Sequence, residues 1–291
     1  MTDSSGLPVP AWMPAVAAIF SVQLGAALSM PLISAVGPAG AAWLRLTAGA
    51  LIFLAIARPP LRSVRRRDVP ALVALGFATG AMTCLFLASI ERIPLGTSVA
   101  IEFLGPLTVA ALRSGTRRAL IWPALALFGV LLLTEPWHGA INLAGIGFAA
   151  GSAIGWAVYI LLTQHIGDRF SGLTGLSLTI PVAAATAAVV GIPQAAGHLT
   201  APIVVAAIGL ALLMPVLPFA LEMIALRHMN HAAFGTLMAL EPAIGVVLGL
   251  VVLHQHPSAV QTLGIMLVVV AGAAAQRNGR RLPDAAYLTP E

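Results

Sequence analysis

Lysine is absent from this chain, and charge of either sign is scarce: 15 arginines and 10 acidic residues make up 9% of its 291 positions. A soluble domain carries about 25% charged residues, which it needs to cover its surface, so an ordinary water-facing exterior is excluded. The one cysteine, Cys84, rules out a disulfide framework and a thiol metal site, and its place in an apolar run points to packing. No stretch has the polar bias of a disordered segment. The first ten residues carry no basic region and no cleavage pattern, so the apolar run after them is expected to stay as a helix rather than leave as a signal peptide. What is present is apolar: 59% hydrophobic residues, a mean hydropathy of +0.97, and 28 glycines and 21 prolines. Membrane helices tolerate both residues better than soluble ones do.

A span needs about 20 apolar residues to cross about 30 Å of hydrocarbon. Reading for such runs between Arg, Pro and Gly gives ten: 11–32, 38–57, 70–90, 94–112, 118–134, 142–163, 172–191, 202–224, 232–253 and 258–276. A pI near 10.9 would suggest nucleic acid in a soluble protein, but here the arginines cluster between apolar runs and report topology, so no nucleic-acid partner is expected. One set of alternate connections holds Arg58, Arg62, Arg65, Arg66 and Arg67, then Arg113, Arg117 and Arg118, then Arg169, then Arg227, then Arg277, Arg280 and Arg281. The opposite set holds only Arg92. The positive-inside rule places the rich set, both termini and the tail 277–291 in the cytoplasm.

The halves echo each other. Leu44-Arg45-Leu46-Thr47 in the second run matches Leu176-Ser177-Leu178-Thr179 in the seventh, and aligning Pro106 with Pro242 brings the third and eighth runs into step. Each half (11–134 and 142–276) has five spans, an odd number, so the second enters the membrane from the opposite side. The expected fold is an all-α membrane protein of ten transmembrane helices in two inverted five-helix repeats, a layout that places a solute site at the repeat interface. It also allows a homodimer.

Four ionisable residues fall within spans: Arg45, Glu102, Glu222 and Glu241. At a helix centre each costs about 2.5–3.5 kcal/mol, so such residues face the bundle interior, a partner or a solute. Arg45 serves either as an internal ion pair that locks helices together or as a group on the solute pathway. Glu222, near the cytoplasmic end of its span, either reaches headgroups or Arg227, or faces that pathway. Glu102 and Glu241 sit mid-span beside proline, in Ile101-Glu102-Phe103-Leu104-Gly105-Pro106 and Leu240-Glu241-Pro242. The alignment puts Glu102 opposite Met238, one turn from Glu241, so the two carboxyls can project from nearly one face. Proline removes a backbone donor, so helix breaks are expected at Gly105-Pro106 and at Pro242. Spans interrupted at matching places in two halves point to a transporter site. A carboxyl at that depth can also relay a proton.

Gly147, Gly151 and Gly155, and Gly245 and Gly249, recur every fourth residue and read as close-packing faces. Trp12, Trp122 and Trp137 read as interfacial anchors. Trp43, Trp156 and Tyr159 lie deeper and either pack or line a cavity. Every histidine falls in a loop, and His254 and His256 lack a third ligand, so neither a metal nor any other cofactor is expected. There is no Gly-x-Ser-x-Gly and no His-Glu-x-x-His, which speaks against an intramembrane enzyme.

These motifs carry a resemblance. Ten spans in two inverted halves, with an arginine early in the second span, resemble the EamA type of the drug/metabolite transporter superfamily. Pro94-Leu95-Gly96 with the Ile101–Pro106 motif, and Leu221-Glu222-Met223-Ile224-Ala225-Leu226 with Phe234-Gly235-Thr236-Leu237-Met238-Ala239-Leu240-Glu241-Pro242, look like its bacterial inner-membrane branch that exports small amino acids. The resemblance covers nearly the whole chain. It implies proton-driven antiport of threonine, homoserine and related solutes. The all-arginine cytoplasmic charge set departs from that pattern. On this expectation Arg45 attracts the solute's carboxylate, Glu102 or Glu241 meets its ammonium and exchanges a proton, and the halves rock to open outward. The alternative is a broad-specificity metabolite or drug exporter of the same superfamily.

Overall fold

The computed structural model describes residues 10, 12–58, 64–113, 116–135, 137, 142–166, 172–229 and 231–278, and no strand occurs among them. In hydrocarbon every backbone N–H and C=O must be satisfied within its own segment, which leaves the helix as the solution for such runs. The helices are α1 (Trp12–Ala27), α2 (Met30–Ala57), α3 (Val69–Ile90), α4 (Leu95–Arg113), α5 (Ile121–Thr134), α6 (Leu143–Ile166), α7 (Gly172–Ala195), α8 (Ala201–Ala211), α9 (Leu217–His228), α10 (His231–Met238), α11 (Glu241–Leu253) and α12 (Ala259–Asn278). Eight helical stretches are long and apolar enough to cross a membrane, with α8–α9 and α10–α11 each counted as one, and Trp12–Ala27 and Ala259–Ala275 are shorter apolar helices. Together they make ten apolar stretches. Leu127, Phe128, Val189, Val205, Val251 and Met266 are among the apolar side chains that face outward, a surface that suits lipid.

Several breaks differ from those the sequence suggests. The first run turns at Leu28-Ser29 and continues helically to Gly37, where φ +73 and ψ 165 reverse the chain. That region of backbone space is essentially open to glycine alone. The eighth run is interrupted over Leu212–Val216, where Met214 is extended (φ −161, ψ 110). By contrast α4 runs unbroken through Gly105 and Pro106, contrary to expectation. One proline costs a helix one backbone bond, and neighbouring helices absorb that loss. Pro242 stands in the first turn of α11, after a two-residue turn at Ala239-Leu240. Helices also run past their apolar stretches, so His165 lies on α6, and His228 and His231 are the end residues of α9 and α10 rather than loop residues. Arg62, Arg169, Arg280, Arg281, the Arg227 side chain and the tail beyond 278 lie outside the described residues.

Helix α2 packs along α7 in antiparallel fashion, with Gly40 against Ala195, Gly191 against Trp43, and Gly49 near Ile180. Other extensive contacts join α3 to α6 and α7, α5 to α12, α4 to α6 and α11, and α1 to α9. Gly151 meets Leu85 and Gly155 meets Met82, but Gly147 has no neighbour within 4 Å of where a Cβ would stand, so the expected packing face covers only two of the three glycines. Two apolar clusters result. One is built from α1, α2, α3, α7 and α8 with the start of α4 and part of α11 around Phe53, Phe86 and Ile180, and the other from α4, α5, α6 and α12 around Phe103, Val130 and Val268.

Candidate functional site

A cavity of about 290 Å³ opens inside the bundle, bounded by α1, α2, α3, α4, α6, α7, α9, α10, α11 and the interrupted segment around Met214. Arg45, Glu102, Glu222, Glu241, Trp156 and Tyr159 all line it. The structure thus brings the four intramembrane ionisable residues to one hollow from α2, α4, α9 and α11. Trp43 does not line it and packs over Gly191 of α7. Trp43 and Arg45 are two residues apart, about 200° around a helix, so both cannot face the same way. Trp156 and Tyr159, three apart, can.

Arg45 is 2% exposed. Its Nη1 donates to Ser29 Oγ at 3.2 Å, and that hydroxyl donates on to Gly25 O at 2.6 Å. Among the described residues no carboxylate lies within 4 Å of it, and the ion pairs present there are Arg67–Asp68 and Arg92–Glu91, both outside the bundle core. A buried guanidinium is costly to leave without a counter-charge, and the hydrogen bond it makes among the described residues is to that hydroxyl. Glu102 accepts a hydrogen bond from Ser152 Oγ of α6, and Ser152 is wholly buried. Glu241 is 4% exposed and opens α11. Glu222 stands on α9, partly buried.

The rest of the wall was not legible in advance. Thr79, Thr83 and Thr179 each donate their hydroxyl proton to the carbonyl four residues back, at 2.8–2.9 Å, so they offer the cavity only acceptors. Gln23, 3% exposed, also lines it, and its Oε1 has no hydrogen-bond partner. Phe86, Phe219 and Phe234 supply apolar surface. The prolines of Met214-Pro215-Val216-Leu217-Pro218 were the visible signal for the break in the eighth run, since two missing donors in one turn loosen a helix more than one does.

One end of the bundle is cross-tied by side-chain hydrogen bonds. Gln194 Oε1 accepts from Ala39 N (2.8 Å) and Gly40 N (3.0 Å), and Gln255 Oε1 accepts from Leu95 N (3.0 Å). Gln261 Nε2 donates to Leu133 O (3.3 Å), Ser258 Oγ to Glu135 Oε1 (2.8 Å), and Asn142 Nδ2 to Arg92 O (3.4 Å). Beneath these, Gly96 and Val246, and Val99 and Gly245, press α4 against α11.

A helical bundle with an apolar exterior and a charged hollow inside is the build of a membrane transporter, not of an enzyme. The comparisons agree. Residues 143–274 match the EamA-like transporter family. The chain is 35% identical over 289 residues to the threonine/homoserine exporter RhtA of Salmonella typhimurium, covering 95% of both chains. It is 32% identical over 286 residues to the exporter of the same name from Escherichia coli K12, covering 94% of both. A solved crystal structure, 18% identical, superposes with a TM-score of 0.63 over 91% of this chain and 98% of that one, and so shares the fold. The chain belongs to the EamA-like transporter family and is a multi-pass membrane transporter.

Proposed function

We propose that the protein is a secondary active exporter of small amino acids of the threonine/homoserine type, coupled to protons, in a bacterial inner membrane with both termini in the cytoplasm. One observation carries this reading: an arginine that is buried, and has no carboxylate partner among the described residues, shares a hollow inside the bundle with three carboxyls. A zwitterion has the complementary pair of charges, its carboxylate for Arg45 and its ammonium for Glu241 or Glu102. The names of the two relatives point to the same solutes.

The packing pattern supports two inverted halves that alternate access. Number the ten stretches in order and exchange each with the one five places away. The α3–α6 contact then maps onto that of α1 with α9, α3–α7 maps onto α2–α8, and α2–α7, α5–α12 and α4–α11 map onto themselves. The arginines of the α2–α3 and α4–α5 connections lie opposite the tied end. By the positive-inside rule that tied end is outermost, and the form described here receives solute from the cytoplasm. Lipid covers the apolar exterior, and a homodimer is compatible with it.

The test is extracellular accumulation of amino acids from cells overproducing the protein, with and without a proton uncoupler. Wild type should raise external threonine and homoserine, the uncoupler should suppress this, and Glu241→Gln should abolish it with the protein still in the membrane. Wild-type efflux from Glu241→Gln would remove that residue's role. Hydrophobic cations that compete with threonine better than homoserine does would favour the broad-specificity reading, in which the phenylalanines and Trp156 of the wall take over recognition.

A further inference from the structure

Ser152 has one hydroxyl proton and faces two acceptors. Its Oγ lies 3.1 Å from Met82 O of α3 and within hydrogen-bond distance of Glu102 Oε1 of α4. Ser152 is 0% exposed, so its hydroxyl is out of reach of water, whereas Glu102 is half-buried and lines the cavity. With Glu102 ionised, the one Ser152 proton is shared between two acceptors and serves each less well than a bond of its own. With Glu102 as the acid, its O–H donates to Ser152 Oγ, Ser152 turns its own O–H to Met82 O, and both contacts are satisfied.

We propose that Glu102 is the group that carries the coupled proton, with Ser152 as the positioning residue that registers it against α3, leaving Glu241 for the solute's ammonium. This rests on the exporter reading above. In the step, a hydronium ion in the cavity gives one proton to the Glu102 carboxylate, its O–H bond breaking as the Glu102 O–H bond forms and neutral water being left, and release reverses it. The proton decides whether Ser152 ties α6 to α3 and α4 through one shared hydrogen or through two separate hydrogen bonds, and these are among the most extensive helix contacts in the bundle. Glu102 shares the cavity with Arg45 from α2, Glu241 from α11, Glu222 from α9 and Tyr159 from α6. Helix α3 brings only Cys84, α5 brings no ionisable side chain, and α12 has only Arg277 in its last turn.

The experiment uses the purified whole chain. Infrared difference spectra between neutral and alkaline pH, a range above the titration of water-exposed carboxyls at about 4, should show a protonated-carboxyl C=O band in wild type. That band should be lost in Glu102→Gln, kept in Glu241→Gln, and displaced in frequency in Ser152→Ala. A band that survives in Glu102→Gln, or vanishes instead in Glu241→Gln, overturns the proposal. In proteoliposomes with labelled threonine, Glu102→Gln should lose at least about tenfold of gradient-driven transport, and any exchange it retains should no longer vary with pH. Ser152→Ala should move the pH midpoint of transport, whereas a merely structural serine would lower the rate equally at every pH. If retained exchange in Glu102→Gln still follows the wild-type pH profile, Glu102 does not carry the proton. Failure of wild type to move threonine would sink the exporter reading instead, and the infrared result would still judge Glu102.

Discussion

At the residue scale, charge is what the sequence displays and neutral polarity is what it hides. Arg45, Glu102, Glu222 and Glu241 stand out because a charge in an apolar run has a cost that only a partner, a solute or water can offset. Gln23, Thr79 and Thr83 fill the same wall, but an amide or hydroxyl in a helix is cheap enough to occur anywhere, so only coordinates reveal which way it faces. Two outcomes follow for single side chains. Arg45→Ala removes a charge-assisted hydrogen bond of about 1.5–3 kcal/mol, so the KM for threonine should rise by about tenfold to a hundredfold, and Arg45→Lys should recover only part of it because the fork is lost. The concentration dependence of efflux measures both, and an unchanged KM in Arg45→Ala would return Arg45 to a packing role. Gln23 offers an unpartnered acceptor in a wall otherwise rich in acceptors. Wild type should therefore prefer threonine to valine, its hydroxyl-free isostere. Gln23→Leu should bring the two together in a competition assay, and a preserved preference would show that the hydroxyl is read elsewhere.

At the element scale, hydropathy located all ten stretches because crossing length and backbone satisfaction leave little choice. Where a stretch breaks is a finer matter, set by local balances. Pro106 removes one donor and α4 stays whole, with Gly105 pressed on the Ala153 carbonyl of α6, whereas Pro215 and Pro218 together open the Leu212–Val216 segment. The turn at Gly37 is the clearest case of a residue fixing an element's end. A Cβ there would have to adopt φ +73 and would stand 2.2 Å from Gln194 Cδ. Gly37→Ala should thus lose about 1–3 kcal/mol from backbone strain alone, plus the displacement of the Gln194 amide that caps Ala39 and Gly40. Thermal unfolding in detergent should show a lowered midpoint for Gly37→Ala. Adding Gln194→Ala should relieve the clash but leave the strain, so a double variant as stable as wild type would mean the backbone there is not strained.

At the scale of the whole molecule, the exporter reading requires that the tied end come apart, because α4 and α11 press together there beneath the glutamine ties. The cavity is lined by four ionisable side chains that suit a charged solute. A Cβ built on Gly245 falls 3.5 Å from Val99 Cβ, inside the range of about 3.5–4.5 Å that a disulfide spans. With Cys84 replaced by serine, Val99→Cys with Gly245→Cys should cross-link under oxidation and hold α4 to α11. Threonine efflux should then stop on oxidation and return with a reductant, while binding of labelled threonine from the arginine-rich side persists, since the cavity itself is untouched. Efflux that continues at the reduced rate after complete cross-linking would mean that α4 and α11 never part during the cycle, and that the solute leaves by another seam of the bundle.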